Sequence, residues 1–158
     1  MKEMGNEVEP ASGPIIALDQ INDPGNLGTI FRLADWYGIH HIVCSPGTVE
    51  KYNPKVIGSS KGSILRVKAL YKELSHFFAH YQYPVLAATM EGENVHHFNF
   101  PHQGCLLLGS EAKGISPDVL AYSSKVVSIP KYGSAESLNV AMATGIILDN
   151  WSRYINKA

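Results

Sequence analysis

The sequence predicts an α/β fold, a parallel β-sheet with helices on both faces. Three observations carry this. Short apolar runs of strand length recur along the chain, and segments with helical spacing separate them. Strands that alternate with helices build parallel βαβ units. The 158 residues, 45% of them hydrophobic, suit one domain that buries about two thirds of its unfolded surface.

"PIIALD" (14–19) reads as a buried strand, and "NDPGNLGTIFRLADWYG" opens a helix with Asp23 as N-cap, Pro24 at the first helical position and Gly38 as the stop. "HIVCS" (41–45) is a second strand, followed by a short helix entered through Asn53 and Pro54. "ILRVKAL" (64–70) alternates as a strand, and "YKELSHFFAHYQ" (71–82) has helical spacing. "PVLAATM", "CLLLG" and "VVSIP" are three more strands, the last two separated by a brief helix capped by Ser116 with Pro117 at its start. The final helix covers 138–152, with Ser137 as its expected N-cap. Residues 1–13, polar with Gly, Pro and Ser, read as a flexible amino-terminal arm, leaving 14–158 as the folded domain.

No apolar run approaches the roughly 20 residues a membrane helix needs, and the amino terminus lacks the apolar stretch of a signal peptide. The expectation is a cytoplasmic protein without membrane contact, its two cysteines, Cys44 and Cys105, buried and reduced within strands. A net charge of −1 lacks the basic excess of an autonomous nucleic-acid binder. The average conceals a run free of acids, in which Lys51, Lys55, Lys61, Arg66, Lys68 and Lys72 fall within one stretch. Such a run is either a phosphate-contacting face or a solvated surface.

Two helices carry apolar residues on more than one side. At 100° per residue the first has a core stripe of Leu27, Ile30, Phe31, Ala34 and Tyr37, with Leu33 and Trp36 outside it. The last has Leu138, Met142 and Ile146 on one flank and Val140, Ile147, Leu148 and Trp151 around the others. A homodimer interface accounts for the excess; a wholly buried central helix is the alternative.

Familiar cofactor signatures fail. "GSEAKGIS" has P-loop glycine spacing but Ile115 in place of the lysine, and no GxGxxG follows a strand. His76 and His80 share a helix face without a third ligand, so no metal is expected. Three segments at strand ends remain: "DPGNLGTIFR", "LLLGSEAKGIS" and "IPKYGSAESLNVA". They fall where open α/β sheets bind ligands, beyond the carboxyl ends of the strands. Gly109, Gly114 and Gly133 suit tight turns or close approach to a ligand, and Asn26, Arg32, Glu111, Ser137 and Asn139 supply polar chemistry.

In this order the three segments resemble the motifs of the SpoU branch of the SPOUT superfamily, RNA 2′-O-ribose methyltransferases, over Pro14 to Trp151. The resemblance implies a six-stranded parallel sheet whose carboxy-terminal part forms a deep trefoil knot. It implies S-adenosylmethionine as cofactor, held by Leu108, Gly109, Gly114, Ile129 and Leu138, and rRNA or tRNA as substrate. Arg32 is the nominated catalytic residue, supported by Asn26, Glu111, Ser137 and Asn139, while Lys51, Lys55, Lys61, Arg66 and Lys68 become candidates for RNA contact. Arginine keeps its proton in proteins, so a role in gripping phosphate or stabilising a developing alkoxide suits Arg32 better than that of general base. Related enzymes commonly carry an amino-terminal RNA-binding domain, so the expectation is a catalytic piece or a knot domain that recognises RNA as a dimer. The rival reading is a catalytically inactive RNA-binding or assembly module with the same fold.

Overall fold

The computed structural model describes residues 13–155, so all but Gly13 of the expected amino-terminal arm lies outside the described residues. Six strands form one sheet in the order β3-β2-β1-β5-β4-β6: β1 (Ile15–Asp19), β2 (His41–Cys44), β3 (Lys68–Tyr71), β4 (Val85–Asn94), β5 (Cys105–Gly109) and β6 (Lys125–Ser128). Every pairing is parallel. The helices are α1 (Pro24–Trp36), α2 (Pro54–Ser60), α3 (Leu74–Ala79), α4 (Pro117–Leu120) and α5 (Val140–Ile155).

Strand alternation divides the core between two faces. Ile16, Leu18, Ile42, Leu86, Leu106 and Leu108 pack with Leu27, Ile30 and Phe31 of α1 and Ile147, Leu148 and Trp151 of α5. Ile15, Ala17, Val43, Val85 and Leu107 pack on the other side with Leu74, Phe77 and Phe78 of α3 and Val119 of α4. Trp151 is fully buried and its indole N–H donates to the Pro101 carbonyl at 2.7 Å. Truncating such a ring costs about 3–5 kcal/mol.

The α1 signals are realised as the sequence implies. Asp23 Oδ2 accepts from the Asn26 N–H at 2.8 Å, Pro24 follows, and Gly38 takes a left-handed φ of 74° just past the end. Tyr37, in the expected core stripe, is half-buried and donates to Asp149 of α5 at 3.2 Å.

Four elements differ from expectation. Of the strand expected at 64–70, only the end from Lys68 forms; Ser63–Leu65 is a 3₁₀ turn. Lys61 and Gly62 take left-handed φ values of 52° and 89°, and the turn that follows points Ile64 and Val67, three apart, toward the core while Leu65 is 87% exposed. The helix expected at 71–82 shrinks to Leu74–Ala79 because Tyr71 pairs with Cys44 in the sheet. Ser116 precedes α4 without capping it through its side chain. The last helix begins at Val140 and its cap is Asn139, not Ser137.

Candidate active site

The first turn of α5 is the meeting point of the three motif segments. A helix start leaves four backbone N–H groups without intrahelical partners. Here the Val140 N–H donates to Glu111 Oε1 at 3.1 Å, those of Ala141 and Met142 donate to Asn139 Oδ1 at 2.9 and 3.1 Å, and the regular helical bonds begin with the Ala143 N–H to the Asn139 carbonyl at 2.9 Å. The Glu111 carboxylate therefore sits where the helix dipole favours negative charge. Asn139 faces both ways: its Nδ2 donates to Asn26 Oδ1 on α1 at 2.9 Å, across 113 positions of sequence. Asn26, Glu111 and Asn139 thus form one bonded set that ties α1 and the loop after β5 to the start of α5.

Beside this junction, a cavity of about 520 Å³ opens at the carboxyl ends of β5 and β6 and against the middle of β4. Leu108, Gly109, Gly114, Ile129 and Leu138 all line it, together with Glu111 and Ser137. Its walls are mainly apolar, with Val127, Val140, Ala143 and Ile147 at the back. Arg32 is not on its wall: it lies exposed on α1 and makes no hydrogen bond or ion pair among the described residues. None of Asn26, Glu111, Ser137 and Asn139 holds it in this chain.

Gly109 is required by the protein's own packing, whatever the cavity holds. A Cβ there would collide with the backbone of Gly114 and Ile115, part of the protein's own loop. That loop is tight: the Gly114 N–H donates to the Ser110 carbonyl at 2.8 Å, the Lys113 N–H to Ser110 Oγ at 3.0 Å, and Gly114 has φ 66°. It is anchored from β1 by Asp19, 3% exposed, whose Oδ2 accepts from the Ser116 N–H at 2.7 Å. The glycine of the first segment, Gly28, likewise serves packing, since a Cβ would strike Ser59 of α2.

Sequence reasoning missed part of the wall. Between Ala88 and Glu93, both opposite Val127, β4 makes an excursion that brings Thr89 and Met90 to the cavity. The Met90 carbonyl is held by Ser128 Oγ at 2.9 Å, and Gly92 lies so close to Val126 that a Cβ would be 2.7 Å from its carbonyl oxygen. Gly92, just past the expected end of this strand, was the available signal. Lys131 and Tyr132 also line the cavity.

The basic run is not uniform. Lys55, Lys61 and Lys68 are exposed, and Lys51 is half-buried with Nζ 5.0 Å from the centre of the Tyr52 ring. Arg66 is engaged: its Nε and a terminal nitrogen each lie 2.8 Å from Asp35 Oδ2. The Ser63 hydroxyl, donating to the same oxygen at 2.8 Å, and Arg66 together hold the Asp35 carboxyl below its ordinary value. Burial pushes the Cys44 thiol up to about 12 and raises that of Cys105 as well, so neither is a nucleophile near neutrality. Among the described residues no group of three or more His, Cys, Asp or Glu side chains could hold a metal, and no helix is long and apolar enough to cross a membrane.

The model of the SpoU rRNA methylase family matches residues 13–149. The chain belongs to this family. Among its relatives, the SpoU chain is 29% identical over 138 residues to the 23S rRNA (guanosine(2553)-2′-O)-methyltransferase RlmP of Bacillus subtilis, covering 85% of this chain and 56% of that protein. An AdoMet-bound rRNA methyltransferase from Sinorhizobium meliloti superimposes with a TM-score of 0.88 at 27% identity, over 96% of this chain and 60% of the other. A structure described by 2′-hydroxyl methylation of C/U34 on tRNA matches with a TM-score of 0.79 at 26% identity, over 89% of this chain and 94% of that one. The SpoU chain spans roughly half to two thirds of the length of the first curated relatives it matches.

Proposed function

We propose that this chain is an S-adenosylmethionine-dependent RNA methyltransferase, acting on a ribose 2′-hydroxyl of rRNA or tRNA, with residues 14–158 as its catalytic domain. The observation that carries the proposal is the cavity beside the junction of Asn26, Glu111 and Asn139, whose walls include all five residues assigned to the cofactor from sequence. Its volume and apolar lining suit a single small ligand. Leu108, Ile129 and Leu138 would hold the cofactor by packing, with the backbone of Gly109, Ser110 and Gly114 on the cavity wall offering polar groups. S-adenosylmethionine, when bound, supplies an electrophilic methyl group.

Asn26, Glu111 and Asn139 position rather than react: Asn26 Oδ1 is held by Asn139, Glu111 Oε1 by the Val140 N–H, and Asn139 Oδ1 by the first turn of α5. Ser137, exposed on the cavity wall, is free to bond the ribose. Arg32 supplies a cation to hold the phosphate beside the hydroxyl and to stabilise negative charge on that oxygen, an electrostatic role. Lys51, Lys55, Lys61 and Lys68 add phosphate contacts, Arg66 less so because Asp35 compensates it.

Trp36 on α1 and Met142 on α5, 80% and 65% exposed, leave uncovered apolar surface on the two packed helices. That surface supports a homodimer, in which Arg32 becomes available to the cavity of the other copy. Co-expressing Arg32→Ala with a cavity variant tests this, since restored transfer requires sharing between copies. The sheet order supports the knot: β6 is outermost, yet α5 returns to pack on α1 and β5. An experimental trace of residues 85–155 that pulls straight from its ends would overturn it. An RNA substrate is consistent with a cytoplasmic location.

Transfer of labelled methyl from S-adenosylmethionine to RNA tests the activity. Arg32→Ala is expected to keep fold and cofactor affinity while losing about a hundredfold or more in rate, the scale of one electrostatic stabiliser. Absence of transfer by the wild-type protein would favour the inactive RNA-binding module.

A further inference from the structure

Tyr132 lies on the 131–139 segment between β6 and α5, every residue of which is exposed. It contributes to the cavity lining, yet the residue is 91% exposed, more than any other large apolar or aromatic residue described. Among the described residues its ring makes no stacking contact and its hydroxyl no hydrogen bond, so both faces are open. A single surface aromatic ordinarily needs no explanation. This one stands at the mouth of the cavity beside Lys131, which also lines it and has no ion pair among the described residues. The segment is anchored at both ends, by half-buried Ile129 and Pro130 and by the Asn139 cap, which keeps the ring close to the opening.

The apolar walls beneath, Leu108, Val127, Ile129 and Ile147, already enclose room for one small ligand without the Tyr132 ring packing on them. A cation and an open aromatic ring at the rim match the chemistry of a single-stranded nucleotide, a phosphate and a π-face. Unpaired RNA bases are commonly held by stacking on aromatic side chains beside basic groups. We propose that Tyr132 is a stacking platform for an unpaired RNA nucleobase at the cavity mouth, with Lys131 taking the adjoining phosphate. The pair would set how tightly RNA is presented to the cavity. The inference rests on the RNA-methyltransferase reading above.

The test begins with methyl transfer by the wild-type chain to bulk RNA; failure there defeats the reading rather than this inference. Tyr132→Ala and Tyr132→Phe are then compared for KM and kcat on that RNA. Affinity for a fluorescein-labelled single-stranded RNA of about 12 nucleotides is measured with S-adenosylhomocysteine present, alongside calorimetry with S-adenosylmethionine and sedimentation. Tyr132→Ala is expected to raise KM and Kd for RNA about tenfold, the scale of losing one base stack, with kcat, cofactor affinity, melting and sedimentation unchanged. Tyr132→Phe should restore RNA affinity, because the ring and not the hydroxyl makes the contact. Unchanged RNA affinity in Tyr132→Ala overturns the proposal, as does failure of Tyr132→Phe to restore it. A parallel loss of cofactor affinity would make the ring a lid over the cofactor, and a changed sedimentation would make it a contact between copies. Either result also overturns the proposal.

Discussion

Replacing Asn139 separates two tasks that one side chain performs. Its Oδ1 caps α5 through two backbone N–H groups, and its Nδ2 bridges to Asn26 at 2.9 Å. Asn139→Ser keeps a capping oxygen but is too short to reach Asn26, whereas Asn139→Ala loses both. A lost cap costs about 1 kcal/mol. The bridge, between exposed side chains, contributes at the low end for a hydrogen bond, about 0.5 kcal/mol. A chain of this size shifts its Tm by roughly 2–4 °C per kcal/mol. Asn139→Ser should therefore melt about 1–2 °C below wild type and Asn139→Ala about 3–6 °C below, at one protein concentration so that any dimerisation is held fixed. Methyl transfer should fall in both by about tenfold or more, out of proportion to the small stability loss of the serine variant, because α1 is no longer registered on α5. The control is a double-mutant cycle: once Asn26→Ala has removed the bridge, Asn139→Ser should cost no further stability. Equal melting of the serine and alanine variants, or full additivity with Asn26→Ala, would refute the division of labour.

Gly109→Ala should lose both cofactor affinity and several degrees of Tm, because the added methyl strikes the Gly114–Ile115 backbone; calorimetry and melting that found a well-folded, full-affinity variant would contradict the collision. Reversing Lys61 and Lys68 to glutamate should weaken RNA binding and flatten its salt dependence, read from Kd at several salt concentrations. Asp35 has a folded value below the ordinary 3.8, so its contribution is present above that pH and is lost as pH falls through the lower folded value. Wild type should therefore outmelt Asp35→Asn near neutrality and lose that margin below about pH 4. Sedimentation at micromolar concentration should show a dimer, and Met142→Glu should favour monomer by charging the exposed α5 face.

Local chemistry with one solution was legible. Asp23 followed by proline could only open a helix usefully, and the apolar runs marked all six strands, although the third starts four residues late. The residues around the cavity were found through the order of three motifs, since periodicity cannot tell that Leu108, Ile129 and Leu138 would share one wall. Where two residues offered the same chemistry, the chain alone could not choose. Ser137 and Asn139 are both good caps, and only the reach to Asn26 and the position of the first turn select Asn139. The pairing of Arg66 with Asp35, 31 positions away, depends on how the 3₁₀ turn packs on α1 and removes one charge from a run that looked uniform. Gly109 suits either a tight turn or a ligand's approach on sequence alone, and only the packing of the neighbouring loop shows that the turn requires it. The excursion of β4 was hidden because residues 89–92 continue an apolar run into polar residues without a proline.

The most direct test of the central claim is the position of the methyl group. The protein is incubated with isotopically labelled S-adenosylmethionine and RNA lacking the modification, and the RNA is digested to nucleosides for tandem mass spectrometry. Ribose methylation predicts a labelled nucleoside that releases an unlabelled, unmodified base when its glycosidic bond breaks. Label that leaves with the base, or RNA that carries no label from an active-cofactor, folded preparation, would contradict the account.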